Sequence, residues 1–383
     1  MSADGRSGPR LVVPGNHNDG FCQSADGTQF AFFSDQEAPG EPFLYIANAD
    51  GTGERKITEQ PDGFMCGFSR RWLLLTHQTG PAGVTLIRHD LRTGANKTVA
   101  GNVDRLAISP DGTKLVYVGG LKFRNRVTPV GRETLELLDV KTLTQHRLAG
   151  PAAKKSYGSQ DSSVEWSRDG TRVAYMVGPW AYPTLGRDAN NPPPARQVLT
   201  VQDVSTGAVQ LRLTLRGGPT SLYWSPDGNK LLVCLPNRGP QTGCEEGLPD
   251  PSWPGELLQV DLASHTTSTI ARGVLLWADW SPEGGYGYAT PSGIVLTSTN
   301  GRVRTLPLPP RRTRAGTWIG FSPDGRYLAL GDFSSKLGVL DLSTGKLHIL
   351  YQERSGKTAS RNALYRKWWR AKSGIAKTPR DQG

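Results

Sequence analysis

The chain has 383 residues, 36% of them hydrophobic, with 45 Lys or Arg against 34 Asp or Glu and a net charge of +11. Its apolar runs are about strand length, which excludes a membrane-spanning helix in the sequence as read. The excess of cations suggests an anionic partner. However, residues 353–383 hold nine Lys or Arg against two acids, a net +7, which leaves only +4 for the other 352 residues. The bulk of the chain is therefore not a basic nucleic-acid-binding domain, and no sequence-specific nucleic-acid binding is expected.

The opening residues, MSADGRSGPR, are polar and lack the apolar core of a signal peptide. Two expectations follow for localisation: cytoplasmic, or exported with a leader already removed. From Phe21 a phrase begins that recurs seven times: an apolar or aromatic run ending in Ser, a turn, and a second apolar run. The copies are FCQSADGTQFAFF, CGFSRRWLLL, LAISPDGTKLVYV, VEWSRDGTRVAYM, LYWSPDGNKLLVC, ADWSPEGGYGYA and IGFSPDGRYLAL, with Ser24, Ser69, Ser109, Ser167, Ser225, Ser281 and Ser322 aligned. β-Branched and aromatic runs of this length are strand chemistry. Ser-Pro-Asp-Gly suits a tight turn: Pro presets φ, Asp bonds its own backbone and Gly takes the left-handed position.

Most copies are followed by a second hairpin, such as LYIANADGTGERKIT or LTVQDVSTGAVQLRL, so each unit is four antiparallel strands. Four-stranded units at this period read as propeller blades, which bury both faces only by packing on neighbours. The reading is an all-β, seven-bladed β-propeller over residues 1–352, with blades starting near 21, 65, 105, 163, 221, 277 and 318. A basic tail with a short amphipathic helix follows over 353–383. Blade 2 is the least regular, because Arg70 and Arg71 replace the turn.

The phrase resembles the PD40, or TolB-like, propeller repeat over roughly 21–350, best at Ser109, Ser225 and Ser322. The Gly-His and Trp-Asp signatures of WD40 proper are missing, as is the sialidase Asp-box. The resemblance implies the fold. It leaves activity open, since such propellers serve as periplasmic adaptors, peptidase gates and lyases.

Ligands of a propeller usually sit at a mouth of the central channel, where the loops between blades and those between second and third strands converge. The second set is short in blades 6 and 7. It is long in blades 3, 4 and 5: GGLKFRNRVTPVGRE, GPWAYPTLGRDANNPPPAR and PNRGPQTGCEEGLPDPSWPGE. Long loops in a compact fold are usually functional or disordered. These three hold Lys122, Phe123, Arg124, Arg126, Trp180, Tyr182, Arg187, Arg238 and Trp253, and the loop before blade 7 adds Arg312 and Arg314. Aromatics beside arginine are the residue types of binding hot spots. The competing reading is that Trp180 and Trp253 fold back and pin the loops. The expected partner is a protein or peptide, or a small ligand, bound by a monomer.

Catalytic alternatives are thinner. Lyases of the resembled class use several histidines and a metal. Here, of six histidines, only His17 and His77 are placed to approach the mouth, with Asp19 and Asp104 as the nearest acids by position; His89, His146, His265 and His348 fall in outer strands. A divalent metal is the one cofactor this set could serve. There is no Gly-x-Ser-x-Gly elbow, Gly-rich phosphate loop or Rossmann fingerprint. An enzyme, if this is one, would be a lyase or hydrolase. Cys234 and Cys244 could clip the blade 5 loop as a disulfide or remain free thiols. In the tail, Trp368 and Trp369 share a helical face with Arg366, Lys367 and Arg370 around it, which suits an anionic membrane surface, cell wall or acidic partner. Alternatively, the two tryptophans dock on the ring.

Overall fold

The computed structural model describes residues 21–24, 26–34, 36–37, 43–48, 51–58, 66–69, 71–78, 84–103, 106–120, 123–125, 128–129, 134–149, 156–157, 164–178, 196–216, 221–235, 255–273, 277–290, 293–307, 318–322, 324–331 and 336–352. Among them there is no helix and none long and apolar enough to cross a membrane. The C-terminal helix expected after blade 7 lies outside the described residues.

Among the described residues seven antiparallel sheets of four strands, or five in sheet 4, follow one another along the chain, with a separate two-stranded ribbon inside the third. Their innermost strands are Phe21–Gln23, Cys66–Phe68, Leu106–Ile108, Glu165–Trp166, Ser221–Trp224, Trp277–Trp280 and Trp318–Phe321. Sheet 4 has a fifth strand, Ser156–Tyr157, which pairs with the mouthward end of Arg172–Gly178 ahead of Glu165–Trp166. The inner strands of sheets 1 and 2, 2 and 3, 3 and 4, 4 and 5, 5 and 6, and 6 and 7 touch in turn.

The repeat phrase closes each inner turn with the same bonds. In sheet 5, the Ser225 hydroxyl donates to Asp227 Oδ1 at 2.6 Å and accepts from the Lys230 N–H at 2.8 Å. Gly228 N–H donates to the Ser225 carbonyl, with Gly228 at φ 70°. Sheets 1, 3, 4 and 7 repeat the Ser–Asp bond with Ser24, Ser109, Ser167 and Ser322. Sheet 6 turns one residue sooner, with Ser281 N–H donating to Gly285 O. Only glycine fits at 285, since a Cβ there would sit 2.4 Å from the Thr297 carbonyl oxygen. Sheet 2 forms despite its irregular phrase: Ser69 N–H donates to Trp72 O, and Arg71 pairs with Asp90 of the outer hairpin.

Alternation along each second strand sends apolar side chains to both neighbours. Leu115 and Tyr117 pack with Leu74 and Leu86 of sheet 2, while Val116 packs with Trp166 and Val173 of sheet 4. Each junction from sheets 1 and 2 through sheets 6 and 7 has one such buried cluster. The two end faces are buried as well. Phe30, Phe32, Tyr45 and Ala47 lie on the face of sheet 1 turned from sheet 2, and Ala329 and Val339 on the face of sheet 7 turned from sheet 6.

Polar side chains tie neighbouring sheets together. Trp166, Trp224 and Trp280, each one residue before the repeat Ser, donate their indole N–H to the carbonyls of Ala107, Glu165 and Tyr223 in the preceding sheet. Phe321 has no such donor. At that junction the buried Asp279 carboxylate of sheet 6 accepts from the Phe321 N–H at 3.2 Å and from its own neighbour Trp280 N–H at 2.9 Å. Further out, Tyr175 O–H donates to Gln202, whose amide donates to Leu148 O; Tyr117, Gln145 and Val99 O repeat this relay one sheet earlier.

Candidate functional site

Strand direction assigns the two edges of every sheet. The inner turns and the outer hairpins lie on one edge, called the underside here. The connections between sheets and the second-to-third-strand loops lie on the other, the mouth edge. The long loops of blades 3, 4 and 5 therefore spring from the mouth edge of three consecutive sheets: after Lys114–Gly119, Arg172–Gly178 and Lys230–Leu235. The corresponding gaps in sheets 6 and 7 are residues 291–292 and 332–335.

Of the expected wall residues, Phe123 and Arg124 lie on a described element. They belong to a strand, Phe123–Asn125, paired with Thr128–Pro129. The blade 3 loop, read from sequence as structureless, thus contains a β-ribbon. Lys122, Arg126, Trp180, Tyr182, Arg187, Arg238, Trp253, Arg312 and Arg314 lie outside the described residues. So do the tail residues Trp368, Trp369, Arg366, Lys367 and Arg370.

Of the catalytic candidates, His17, Asp19 and Asp104 also lie outside. His77 sits where expected, near the mouthward end of Trp72–Gln78, half-buried and opposite Thr85. His89 is a buried core residue bonded through Nδ1 to Asn96 Oδ1 at 2.7 Å. His146 and His348 lie in fourth strands, as expected. His265 does not: it occupies the outer hairpin turn with φ 56°, where the Asp261 carboxylate organises the backbone through Ala263 and Ser264. Among the described residues no three His, Cys, Asp or Glu side chains cluster to hold a metal.

Cys234, at the mouthward end of its strand, is buried and disulfide-bonded. Cys244, the partner the sequence offers, lies outside the described residues.

Sequence reading missed two polar groups at the same edge. Ser221 is the first residue of the inner strand of sheet 5, directly opposite Cys234. Gln197 is the second residue of Arg196–Asp203 in sheet 4, just after the long loop. Both residues are only 4% exposed, and among the described residues the Ser221 hydroxyl and Gln197 carbonyl oxygen find no hydrogen-bond partner. Buried polar atoms are almost always satisfied, by the protein or by water; Gln36 Oε1 and Tyr45 Oη in blade 1 share this state. Trp277 and Trp318 were also missed; they take the position equivalent to Ser221 in sheets 6 and 7. Their place four residues before the repeat Ser, against one residue for Trp166, Trp224 and Trp280, is the sequence signal that sets them apart.

Most of the shifted carboxylates belong to the underside; Glu37, past the second strand of sheet 1 on the mouth edge, is held low by its bond from Lys56. Backbone and hydroxyl donors of Thr206 and Ser205 hold Asp203 down to about 2, and those of Ser343 and Thr344 do the same for Asp341. These are turn-forming groups, not catalytic ones. Burial pushes the Tyr117 phenol up to about 12.

Successive antiparallel sheets, touching through their inner strands among the described residues, define a β-propeller. No protein-family model matches the chain, and no curated protein matches it. Solved structures similar to it include the tricorn protease, at 12% identity and TM-score 0.50 over 88% of this chain and 34% of that one. Dipeptidyl peptidase 4 of Porphyromonas gingivalis aligns at 12% identity and TM-score 0.48, over 91% of this chain and 61% of that one. TolB from Acinetobacter baumannii aligns at 14% identity and TM-score 0.40, over 89% of this chain and 66% of that one. The chain thus spans about a third of the tricorn protease and less than two thirds of the peptidase. At these identities the likeness concerns the fold.

Proposed function

We propose that this propeller is a binding module that holds a protein or peptide at the mouth edge of sheets 3 to 5. The observation that supports it best is the pair of buried, unpartnered polar atoms, Ser221 Oγ and Gln197 Oε1, at the foot of the two longest loops. A partner segment lying across that edge would supply a donor to Gln197 and either bond to Ser221. The loop aromatics Trp180 and Trp253, with Arg187 and Arg238 in the same two loop sequences, would provide anchors of the kind that dominate interfaces. A small ligand at the same edge is the narrower version of this reading.

The test is selection of peptides from a displayed random library on the full chain, followed by affinity measurement on Trp180→Ala, Trp253→Ala, Ser221→Ala and Gln197→Ala. We expect losses of about tenfold or more for the tryptophans, with unchanged melting temperature. Selected peptides that bind all four variants as they bind the parent would refute the site.

A further inference from the structure

The irregular phrase of sheet 2 organises a second surface, on the underside. Where other sheets place Ser-Pro-Asp-Gly, this one places Arg71, whose Nε and Nη2 engage both oxygens of Asp90. Its guanidinium also lies 4.4 Å from the Trp72 ring centroid, and that of Arg88 lies 3.9 Å from the same ring. Arg88 reaches across the junction and donates from Nη1 to the carbonyls of Val140 and Lys141 in sheet 3. Arg55 reaches from sheet 1 and donates to the Leu91 carbonyl. The outer hairpins of three consecutive sheets are thereby drawn together, and Arg92, Lys97 and Lys141 stand exposed on them.

Two features go beyond structural need. Arg88 and Lys97 face each other directly across the strand pair; like charges at such positions destabilise a sheet. In addition, two of the acids in the described parts of these hairpins are ion-paired, Asp90 with Arg71 and Glu136 with Arg147, and the other two are hydrogen-bonded, Asp139 to Thr142 and Glu54 to Gln36. Six cations, Arg55, Arg71, Arg88, Arg92, Lys97 and Lys141, thus stand on one bonded set of hairpins whose described acids are the four named above.

We propose that this patch docks an acidic polypeptide segment. Charge complementarity calls for an anion, and the rest of the underside decides its shape. Asp169, Asp203, Asp227, Asp261, Asp324 and Asp341 occupy the turns of sheets 4, 5 and 7 on the same edge. A flat anionic surface such as a bilayer would meet these carboxylates together with the patch. A narrow segment along the outer hairpins of sheets 1 to 3 avoids them and the inner-turn carboxylates Asp26 and Asp111, and passes Asp139 beside Lys141. Guanidiniums and ammonium groups on that path suit carboxylates spaced along an extended chain.

The experiment measures binding of a fluorescent oligoglutamate peptide to the full chain, alongside inorganic polyphosphate and phosphatidylglycerol vesicles. Arg92→Glu/Lys97→Glu/Lys141→Glu should weaken peptide binding about tenfold, the scale of three lost exposed charge pairs. Arg366→Glu/Lys367→Glu/Arg370→Glu, in the tail, should not. As a second variant, Lys97→Thr should weaken binding while leaving the melting temperature equal or higher, because it removes the opposed like charges. Equal loss in the tail variant, no loss in the patch variants, or tighter patch-dependent binding of polyphosphate or vesicles than of the peptide would overturn the proposal.

Discussion

The indole N–H of Trp280 in sheet 6 donates to the Tyr223 carbonyl in sheet 5 at 2.9 Å. Trp224 and Trp166 make the same bond one and two sheets earlier, always from the residue before the repeat Ser to a carbonyl two residues before the preceding repeat Ser. The repeat therefore encodes the junctions between sheets as well as the turns within them. Trp280→Phe and Trp166→Phe keep the ring and remove the donor. Each should cost about 1 kcal/mol in urea unfolding, the net worth of one hydrogen bond. Asp279→Ala, which leaves the Phe321 and Trp280 N–H groups without their acceptor, should cost about 2 kcal/mol or more, as for buried groups bonded to a charge.

The turn serines should differ in the same way. Ser225→Ala removes a hydroxyl that both donates to Asp227 and accepts from Lys230, and should cost about 1–2 kcal/mol. For Ser69 no such side-chain bond is described, and Ser69→Ala should stay within about 0.5 kcal/mol, as for ordinary surface changes. Equal costs at the two positions would show that the hydroxyl is not what closes the turn.

The fold was legible because its cause is local and repeated: Ser, Asp and Gly at fixed offsets make a turn wherever they occur. What the phrase could not show is what replaces it. Arg71 and Asp90 close sheet 2 from positions 19 residues apart, a pairing visible only once the outer hairpin folds back. The β-ribbon in the blade 3 loop escaped notice because Arg124 and Arg126 break the apolar alternation that signals a strand. Ser221 and Gln197 were illegible for another reason: a serine opening a strand and a glutamine inside one are ordinary until their burial is known. The loops that carry the proposed hot spots were readable by length alone.

Acid stability follows from the underside turns. Asp203 and Asp341 titrate near 2 when folded, against 3.8 for the free side chain. A depressed carboxylate contributes stability above its unfolded value and loses it as pH falls through the folded one. The melting temperature should therefore change little from pH 7 to 5 from these groups and drop between about 4 and 2. Asp203→Asn and Asp341→Asn should each shrink that drop. An unchanged acid limb in both variants would remove these turns from the explanation.

The buried end faces predict that sheet 7 closes on sheet 1. If Phe32 and Val339 pack against the same interface, Phe32→Ala and Val339→Ala should be non-additive, with a coupling of about 0.5 kcal/mol or more in a double-mutant cycle. Additive costs would mean that each face is covered by something else.

The disulfide at Cys234 predicts that peptide mapping under non-reducing conditions recovers Cys234 joined to Cys244, at the base of the blade 5 loop. Recovery of Cys234 as a free thiol from protein folded under oxidising conditions would contradict the pairing.

The most direct test of the binding account is amide hydrogen exchange on the full chain with and without a selected peptide. The account predicts slowed exchange at 196–198 and 221–223 and in the loops 179–195 and 236–254, with the underside turn 225–230 unchanged. Protection confined to other edges of the propeller, with none at Gln197 or Ser221, would contradict it.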